Sequence, residues 1–255
     1  MKLLLKLWTF WCFLITVSIF LTLLIPNLFL IFCLGDFGRN IFVQYNYYVG
    51  NILLFLFGMR KVTSGSFPIK YSKPCVYVVN HKSYLDVIII ASLIPYKIKY
   101  LGKAEVFKWP LFGYLAKHSG QIAVKREDKA SRQQGFDSMK RALNDGCSII
   151  LFPEGGWRNN GDVKSNNPYN LQESKLLHEF RNGAFRLALE TKVPVIPIAL
   201  MNAQERFSDV TMLIKPGNVF VHIFEPIDSR SFHDAFDLNH KCHNLILNKL
   251  KEFNL

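Results

Sequence analysis

Between Leu7 and Gly35 no side chain carries a charge, and Leu, Ile, Phe and Val dominate the run. If helical throughout, this stretch measures about 43 Å against a hydrocarbon core of about 30 Å, so it is long enough to enter a bilayer. Pro26-Asn27 interrupts it, and a second apolar segment, Ile41 to Met59, comes after the break Gly35-Asp36-Phe37-Gly38-Arg39. Gln44, Asn46 and Asn51 make that second segment more amphipathic than spanning. After Lys61 the pattern changes to short β-rich runs: Val76-Val79, Lys97-Gly102, Gln121-Val124, Ser148-Phe152, Val193-Leu200 and Val219-Phe224. Helix-like stretches alternate with them at Ser83 to Leu93, Ser131 to Asn144 and Leu176 to Thr191, with a last one from Leu238 to Phe253. Strands separated by helical lengths predict an α/β domain with a mostly parallel sheet flanked by helices. The long polar interruption from Arg158 to Ser174, which contains Pro168, reads as a surface loop. The predicted organisation is an N-terminal membrane-inserting helical segment over 1–60 and an α/β domain over 61–255.

Half of the 255 residues are apolar, which removes disorder from consideration. The formal net charge of +12 calls for an anionic partner. No nucleic-acid-binding motif or aromatic-basic platform is present, so a lipid surface or a phosphorylated substrate is expected rather than nucleic acid. The five cysteines are scattered and never form C-x-x-C, which argues against a disulfide framework and a zinc site. His240-Lys241-Cys242-His243 lacks further ligands at zinc-like spacing and reads as part of a solvated amphipathic helix, so no metal is expected. A cleaved signal peptide fits poorly, because the apolar run is too long and no small-residue cleavage site precedes Asp36. Lys2 and Lys6 favour a cytoplasmic amino terminus. A re-entrant or interfacial helical pair, or two crossings, would then leave residues after about Arg60 on the cytoplasmic side.

Four segments carry chemistry. The first is Asn80-His81-Lys82-Ser83-Tyr84-Leu85-Asp86, directly after a buried-type strand. Two positions five apart on one helix point about 140° from each other, so His81 belongs in the turn before the helix and Asp86 in its first turn. There the carboxylate can orient one ring nitrogen while the other faces a substrate. The same residues also make an ordinary helix start, with Ser83 as N-cap and Ser83-x-x-Asp86 as a capping arrangement. The second segment, Phe152-Pro153-Glu154-Gly155-Gly156-Trp157-Arg158, comes after another strand, and its glycines permit close backbone approach to a ligand. The third, Gly120 to Arg126, delivers the adjacent cations Lys125 and Arg126, suited to a phosphate. The fourth, Val193 to Leu200, contains Pro194 and Pro197 and is expected to be an edge or bulged strand.

In order and spacing these segments resemble the 1-acylglycerol-3-phosphate acyltransferase family, the PlsC-like glycerolipid acyltransferases, over roughly residues 60 to 227. The resemblance implies that His81 is the catalytic general base and that Asp86 supports it. Gly102-Lys103-Ala104-Glu105, Trp109-Pro110-Leu111-Phe112-Gly113 and Gly120 to Arg126 are similar to the second block, in which Arg126 would contact the substrate phosphate. Phe152-Pro153-Glu154-Gly155 is similar to the third block, which helps to bind the glycerol phosphate moiety, and Val193 to Ile198 to the fourth, an acyl-chain or structural wall. The family's third block usually continues Thr-Arg-Ser. This chain has Gly156-Trp157-Arg158-Asn159, with the arginine displaced by one position and the hydroxyl missing. Phe180-Arg181-Asn182-Gly183-Ala184 resembles the family's Phe-Lys-x-Gly-Ala stretch.

The activity implied by the resemblance is that of a membrane-bound O-acyltransferase, which moves a fatty acyl group from acyl-CoA or acyl-carrier protein to the free hydroxyl of 1-acylglycerol 3-phosphate, giving phosphatidic acid. The chemistry requires no cofactor beyond the acyl donor substrate. Lys125 or Arg158 would assist Arg126 in holding the phosphate, Glu154 and Gly155 would complete the binding residues, and backbone amides near Gly155 are candidate oxyanion donors. The alternatives are another acceptor (a different lysophospholipid, glycerol 3-phosphate or a lyso-ornithine lipid) and a non-catalytic membrane lipid-binding protein of the same fold. The expected location is a membrane, the inner or cytoplasmic one in a bacterium, with the catalytic domain facing the cytoplasm.

Overall fold

The structure, a computed structural model, describes residues 2–66, 73–155 and 176–254. Trp157, Arg158 and the polar stretch 158–174 lie outside them. Two helices open the chain, α1 (Lys2–Cys33) and α2 (Gly35–Leu56), joined at Leu34. Gly38 lets the first turn of α2 close on α1, since a Cβ there would fall 1.8 Å from the Leu30 carbonyl oxygen. Asn27, buried in α1 beside Pro26, accepts a hydrogen bond from the Tyr45 hydroxyl of α2. The pair is not a separate body. Cys12, Leu53, Leu54 and Phe57 share one core with Tyr77, Ile89 and Ile198 of the sheet domain, and Thr9 Oγ1 accepts the Ile214 amide at 3.0 Å.

The sheet contains β1 (Met59–Gly65), β2 (Val76–Val79), β3 (Ile98–Lys103), β4 (Ile122–Val124), β5 (Ser148–Leu151), β6 (Val195–Leu200) and β7 (Gly217–Ile223), in the order β1-β7-β6-β2-β5-β3-β4. Strands β2 to β6 run parallel, whereas β7 is antiparallel to β6 and β1 parallel to β7. The remaining helices are α3 (Leu85–Ala91), α4 (Phe112–His118), α5 (Lys129–Asn144), α6 (Gly183–Thr191), a single turn at Ala203–Arg206, and α7 (Ala235–Phe253). Alternation along the strands divides the interior between two faces. Tyr77, Val79, Ile150, Ile196, Ile198 and Leu200 face α3 and the amino-terminal pair. Val76, Val78, Ile149, Leu151, Val195 and Ala199 face α5, α6 and α7. The result is the expected mostly parallel sheet flanked by helices.

Three details refine the expectation. Met59 and Arg60, placed in the amino-terminal helical segment, belong to a strand. Arg60, Lys61, Thr63 and Ser64 give β1 no strand pattern of its own, and its form comes from seven-residue pairing with β7. Second, of the two forms expected for the Pro-interrupted strand, edge or bulged, β6 takes the bulged one and is interior, between β7 and β2. Pro197 is tolerated because pairing on the β7 side skips from the Val195–Ile227 bridge to Ile198–Ile223, so the missing N–H falls opposite a bulge. Third, the helix expected over Leu176 to Thr191 is broken after Leu176 and resumes only at Gly183. The amides of His178 and Arg181 bond instead to Glu154 Oε2 and Pro153 O, which holds 177–181 against the turn after β5.

The carboxyl ends of β2, β5 and β4 point the same way, and β2 and β5 are neighbours. The turns beyond them carry His81, Glu154 and Arg126.

Candidate active site

His81 lies in the turn between β2 and α3, and that turn is fixed from three sides. Asn80, 3 % exposed, spans to β6: its Nδ2 donates to Leu200 O at 2.8 Å and its Oδ1 accepts the Leu200 amide at 2.7 Å. Ser83 Oγ accepts the Leu85 amide at 3.1 Å and donates to Phe207 O at 2.7 Å. Asp86, 1 % exposed, reaches back from the first turn of α3. Its Oδ2 accepts from the amides of Lys82 (2.8 Å) and Ser83 (2.9 Å) and from His81 Nδ1 (2.8 Å). Helix capping and ring orientation are therefore functions of one oxygen. An ionised carboxylate that accepts there requires Nδ1–H as donor, which makes Nε2 the basic nitrogen of the neutral ring. Phe152 stacks on the imidazole at a centroid distance of 4.1 Å and an interplanar angle of 24°, fixing its plane.

Glu154 does not face the space around the imidazole. It is 3 % exposed, Oε1 accepts the His81 amide at 2.7 Å, and Oε2 accepts the His178 amide at 3.0 Å. Through these two bonds it ties the β5 turn to the histidine turn and to the segment at His178. The next residue, Gly155, has a φ of +80° that favours glycine, and its carbonyl accepts a hydrogen bond from Arg126 Nη1. Consecutive residues thus bring His81 and Arg126 into one neighbourhood. The Gly155 amide is spent on Phe152 O at 3.1 Å, which removes it as an oxyanion donor. Lys125 is exposed, with its amide bonded to Ser131 Oγ at 2.9 Å. Arg158 lies outside the described residues.

Burial pushes the Glu154 carboxyl up to about 6 from 4.5, against the opposing pull of the His81 and His178 amides and of Lys82. Burial lowers Lys82 as well, opposed by Glu154 and Asp86. Because the folded value for Glu154 exceeds the unfolded one, the native state holds the extra proton between them. Acidification through that window therefore stabilises the fold, by on the order of 2 kcal/mol. Urea unfolding of wild type and Glu154→Gln should show wild type gaining relative stability as pH falls from about 6 to about 4.5. A difference that stays flat across that window would remove the assignment.

Residues that motif reasoning passed over are Asn80 as a cross-strand tie, Phe152 as the ring's stacking partner, His178 as an amide donor, and Arg181. Asn80 and Phe152 open two of the quoted segments and Arg181 falls in the Phe180-Arg181-Asn182-Gly183-Ala184 stretch, whereas His178 had no sequence signal.

A carboxylate-oriented imidazole, linked through Glu154 and Gly155 to a half-buried guanidinium at the carboxyl edge of an α/β sheet, is an arrangement chemically able to accept a proton and to hold an anion. The chain belongs to the acyltransferase family, whose model, Acyltransferase, matches residues 60–201. It is 32 % identical over 155 residues to a chloroplastic 1-acyl-sn-glycerol-3-phosphate acyltransferase, BAT2, of Brassica napus, covering 60 % of this chain and 41 % of that one. It is 27 % identical over 180 residues to the 1-acyl-sn-glycerol-3-phosphate acyltransferase of Haemophilus influenzae, covering 69 % and 68 %. The chain thus spans about two fifths of the Brassica relative and about two thirds of the Haemophilus one. The crystal structure of the 1-acyl-sn-glycerophosphate acyltransferase PlsC from Thermotoga maritima superposes with a TM-score of 0.80 at 20 % identity, covering 99 % of this chain and 97 % of that one.

Proposed function

We propose that this chain is a membrane-bound O-acyltransferase that transfers a fatty acyl group from a thioester, acyl-CoA or acyl-carrier protein, to the free hydroxyl of 1-acylglycerol 3-phosphate, giving phosphatidic acid. The observation that carries this reading is the His81–Asp86 pair at 2.8 Å, linked through Glu154 and Gly155 to Arg126. Names of the relatives support the acceptor.

In this mechanism Arg126 holds the acceptor phosphate and so places the hydroxyl near His81. Nε2 takes the hydroxyl proton as the oxygen attacks the thioester carbonyl, forming a new C–O bond and a tetrahedral intermediate. Asp86 stabilises the imidazolium. Collapse of the intermediate breaks the C–S bond, and the imidazolium returns its proton to the departing thiolate. No covalent acyl-enzyme and no cofactor enter this scheme.

The helical pair supports a membrane location. α1 is, among the described helices, the one long and apolar enough to cross a membrane. Its exposed side carries Leu7, Phe10, Phe13, Leu21 and Ile25. That apolar side continues onto the sheet domain, where Phe32 lies 5.9 Å from the ring of Tyr114, itself exposed near Trp109 and Phe112. Because both ends of the pair pack on the domain, an interfacial or re-entrant seating keeps the domain on one side, which we assign to the cytoplasm.

One experiment tests both parts. The purified chain is mixed with vesicles of anionic and neutral phospholipid that contain 1-acylglycerol 3-phosphate, glycerol 3-phosphate or a phosphate-free monoacylglycerol. Acyl-CoA or acyl-carrier protein is added, the vesicles are floated, and lipids are read by mass spectrometry. The expected result is co-flotation and phosphatidic acid as the main product. Protein left at the bottom of the gradient would overturn the membrane reading, and a different acylated product would overturn the acceptor.

A further inference from the structure

Arg181 brings a second guanidinium to the glycine that Arg126 touches. Its amide is tied to Pro153 O at 2.9 Å, and its side chain lies over the Cα of Gly155. A Cβ at Gly155 would fall 2.7 Å from Arg181 Nε and 2.9 Å from its Cζ, so the arm closes over this position only because no side chain is there. From the other direction, Arg126 Nη1 donates to the Gly155 carbonyl.

Like charges gathered around one residue repel. Burial and then Arg181 make the charged form of Arg126 less favourable, while Glu127 and Glu105 act in its favour from a distance. Neither guanidinium has an ion-pair partner among the described residues. Glu105 is itself drawn to Lys103 at 3.7 Å, and Glu154 is turned inward onto two amides. The unfavourable repulsion is relieved by an anion that accepts from both arms at once, a task for which the planar, multiply donating guanidinium is suited.

We propose that Arg181 is a second phosphate-binding residue, which with Arg126 forms a two-armed clamp on a phosphomonoester dianion, with Gly155 as the side-chain-free floor between the arms. This rests on the acceptor reading above and sharpens it. Arg126, half-buried, is the inner arm; Arg181, exposed, is the outer arm that meets the phosphate first.

The test uses the full chain in detergent as wild type, Arg181→Ala, Arg181→Lys and Arg126→Ala, each first checked for an unchanged thermal midpoint. Initial rates are taken with 1-acylglycerol 3-phosphate and with monoacylglycerol, and KM is measured for acceptor and acyl-CoA separately. Thermal protection by glycerol 3-phosphate and by inorganic phosphate reads binding without turnover and separates a headgroup site from a site for free phosphate. Arg181→Ala should raise KM for the phosphorylated acceptor on the order of tenfold or more. It should weaken protection by glycerol 3-phosphate, leave the KM for acyl-CoA unchanged, and lower the rate with 1-acylglycerol 3-phosphate more than the rate with monoacylglycerol. Arg181→Lys should recover part of the loss. An unchanged acceptor KM in Arg181→Ala beside a raised one in Arg126→Ala would overturn the clamp and leave the acceptor reading standing. A raised KM for acyl-CoA alone would place Arg181 on the donor and also overturn the clamp. Protection by inorganic phosphate but not by glycerol 3-phosphate would overturn it too. Wild type that uses monoacylglycerol as readily as the phosphorylated acceptor, with Arg126→Ala changing neither, would instead refute the acceptor reading itself.

Discussion

Substituting alanine for His81 should lower turnover by a factor on the order of 10² to 10⁴, with acceptor affinity kept within a few-fold, because the substitution removes the base and little else. The clean outcome stems from where the bonds of this residue lie. Glu154 holds the main-chain N–H of His81, which alanine retains, and Asp86 Oδ2 keeps the amides of Lys82 and Ser83. Two contacts go with the ring, its Nδ1–H bond to Asp86 Oδ2, an oxygen that keeps its two amides, and its stacking on Phe152, each about 0.5 to 1.5 kcal/mol and together too small to unfold a domain of this size. Single-turnover rates with acceptor and acyl-CoA, beside the thermal midpoint, measure both sides. A His81→Ala protein that turns over within tenfold of wild type would sink the general-base mechanism and leave His81 as a packed turn residue.

The parallel core was legible because each of its strands is a short apolar run bounded by turn chemistry, as in Val76–Val79 before Asn80 and Ser148–Leu151 before Pro153. β1 was not, since its residues are polar and its strand form depends on a partner about 150 positions away. Pro197 signalled the bulge correctly but could not tell an edge from an interior strand, because proline's missing donor matters only on the side where the ladder is paired. Within the site, a spacing of five placed His81 and Asp86 together, since a turn and the first turn of a helix are local geometry. Long-range ties were invisible. That Glu154 faces inward depends on the amides of His81 and His178, and that Arg181 closes over Gly155 depends on the 177–181 segment staying non-helical, neither of which is written in local periodicity.

Asp86→Asn separates the two functions that meet at this carboxylate. Oδ2 accepts three hydrogen bonds, while Oδ1 is buried without a partner among the described residues. An asparagine can therefore place its carbonyl oxygen where Oδ2 lies and its amide nitrogen in the place of Oδ1, keeping the cap and the Nδ1–H bond while removing the charge. The imidazolium that forms during transfer then loses a counter-charge 2.8 Å away at a site 1 % exposed. At an effective dielectric constant near 20, two charges whose delocalised centres lie about 4 Å apart attract by about 4 kcal/mol, part of which the neutral hydrogen bond retains. With each 1.36 kcal/mol worth about a factor of ten, kcat should fall on the order of 10² to 10³ with the thermal midpoint nearly unchanged. Asp86→Ala, by contrast, removes the acceptor of the Lys82 and Ser83 amides and should cost about 1 to 2 kcal/mol of stability as well. The pair of variants discriminates between the roles. If Asp86 served only to start α3, the asparagine protein would be as active as wild type, whereas a protein that is stably folded and slow requires the charge itself to act on His81.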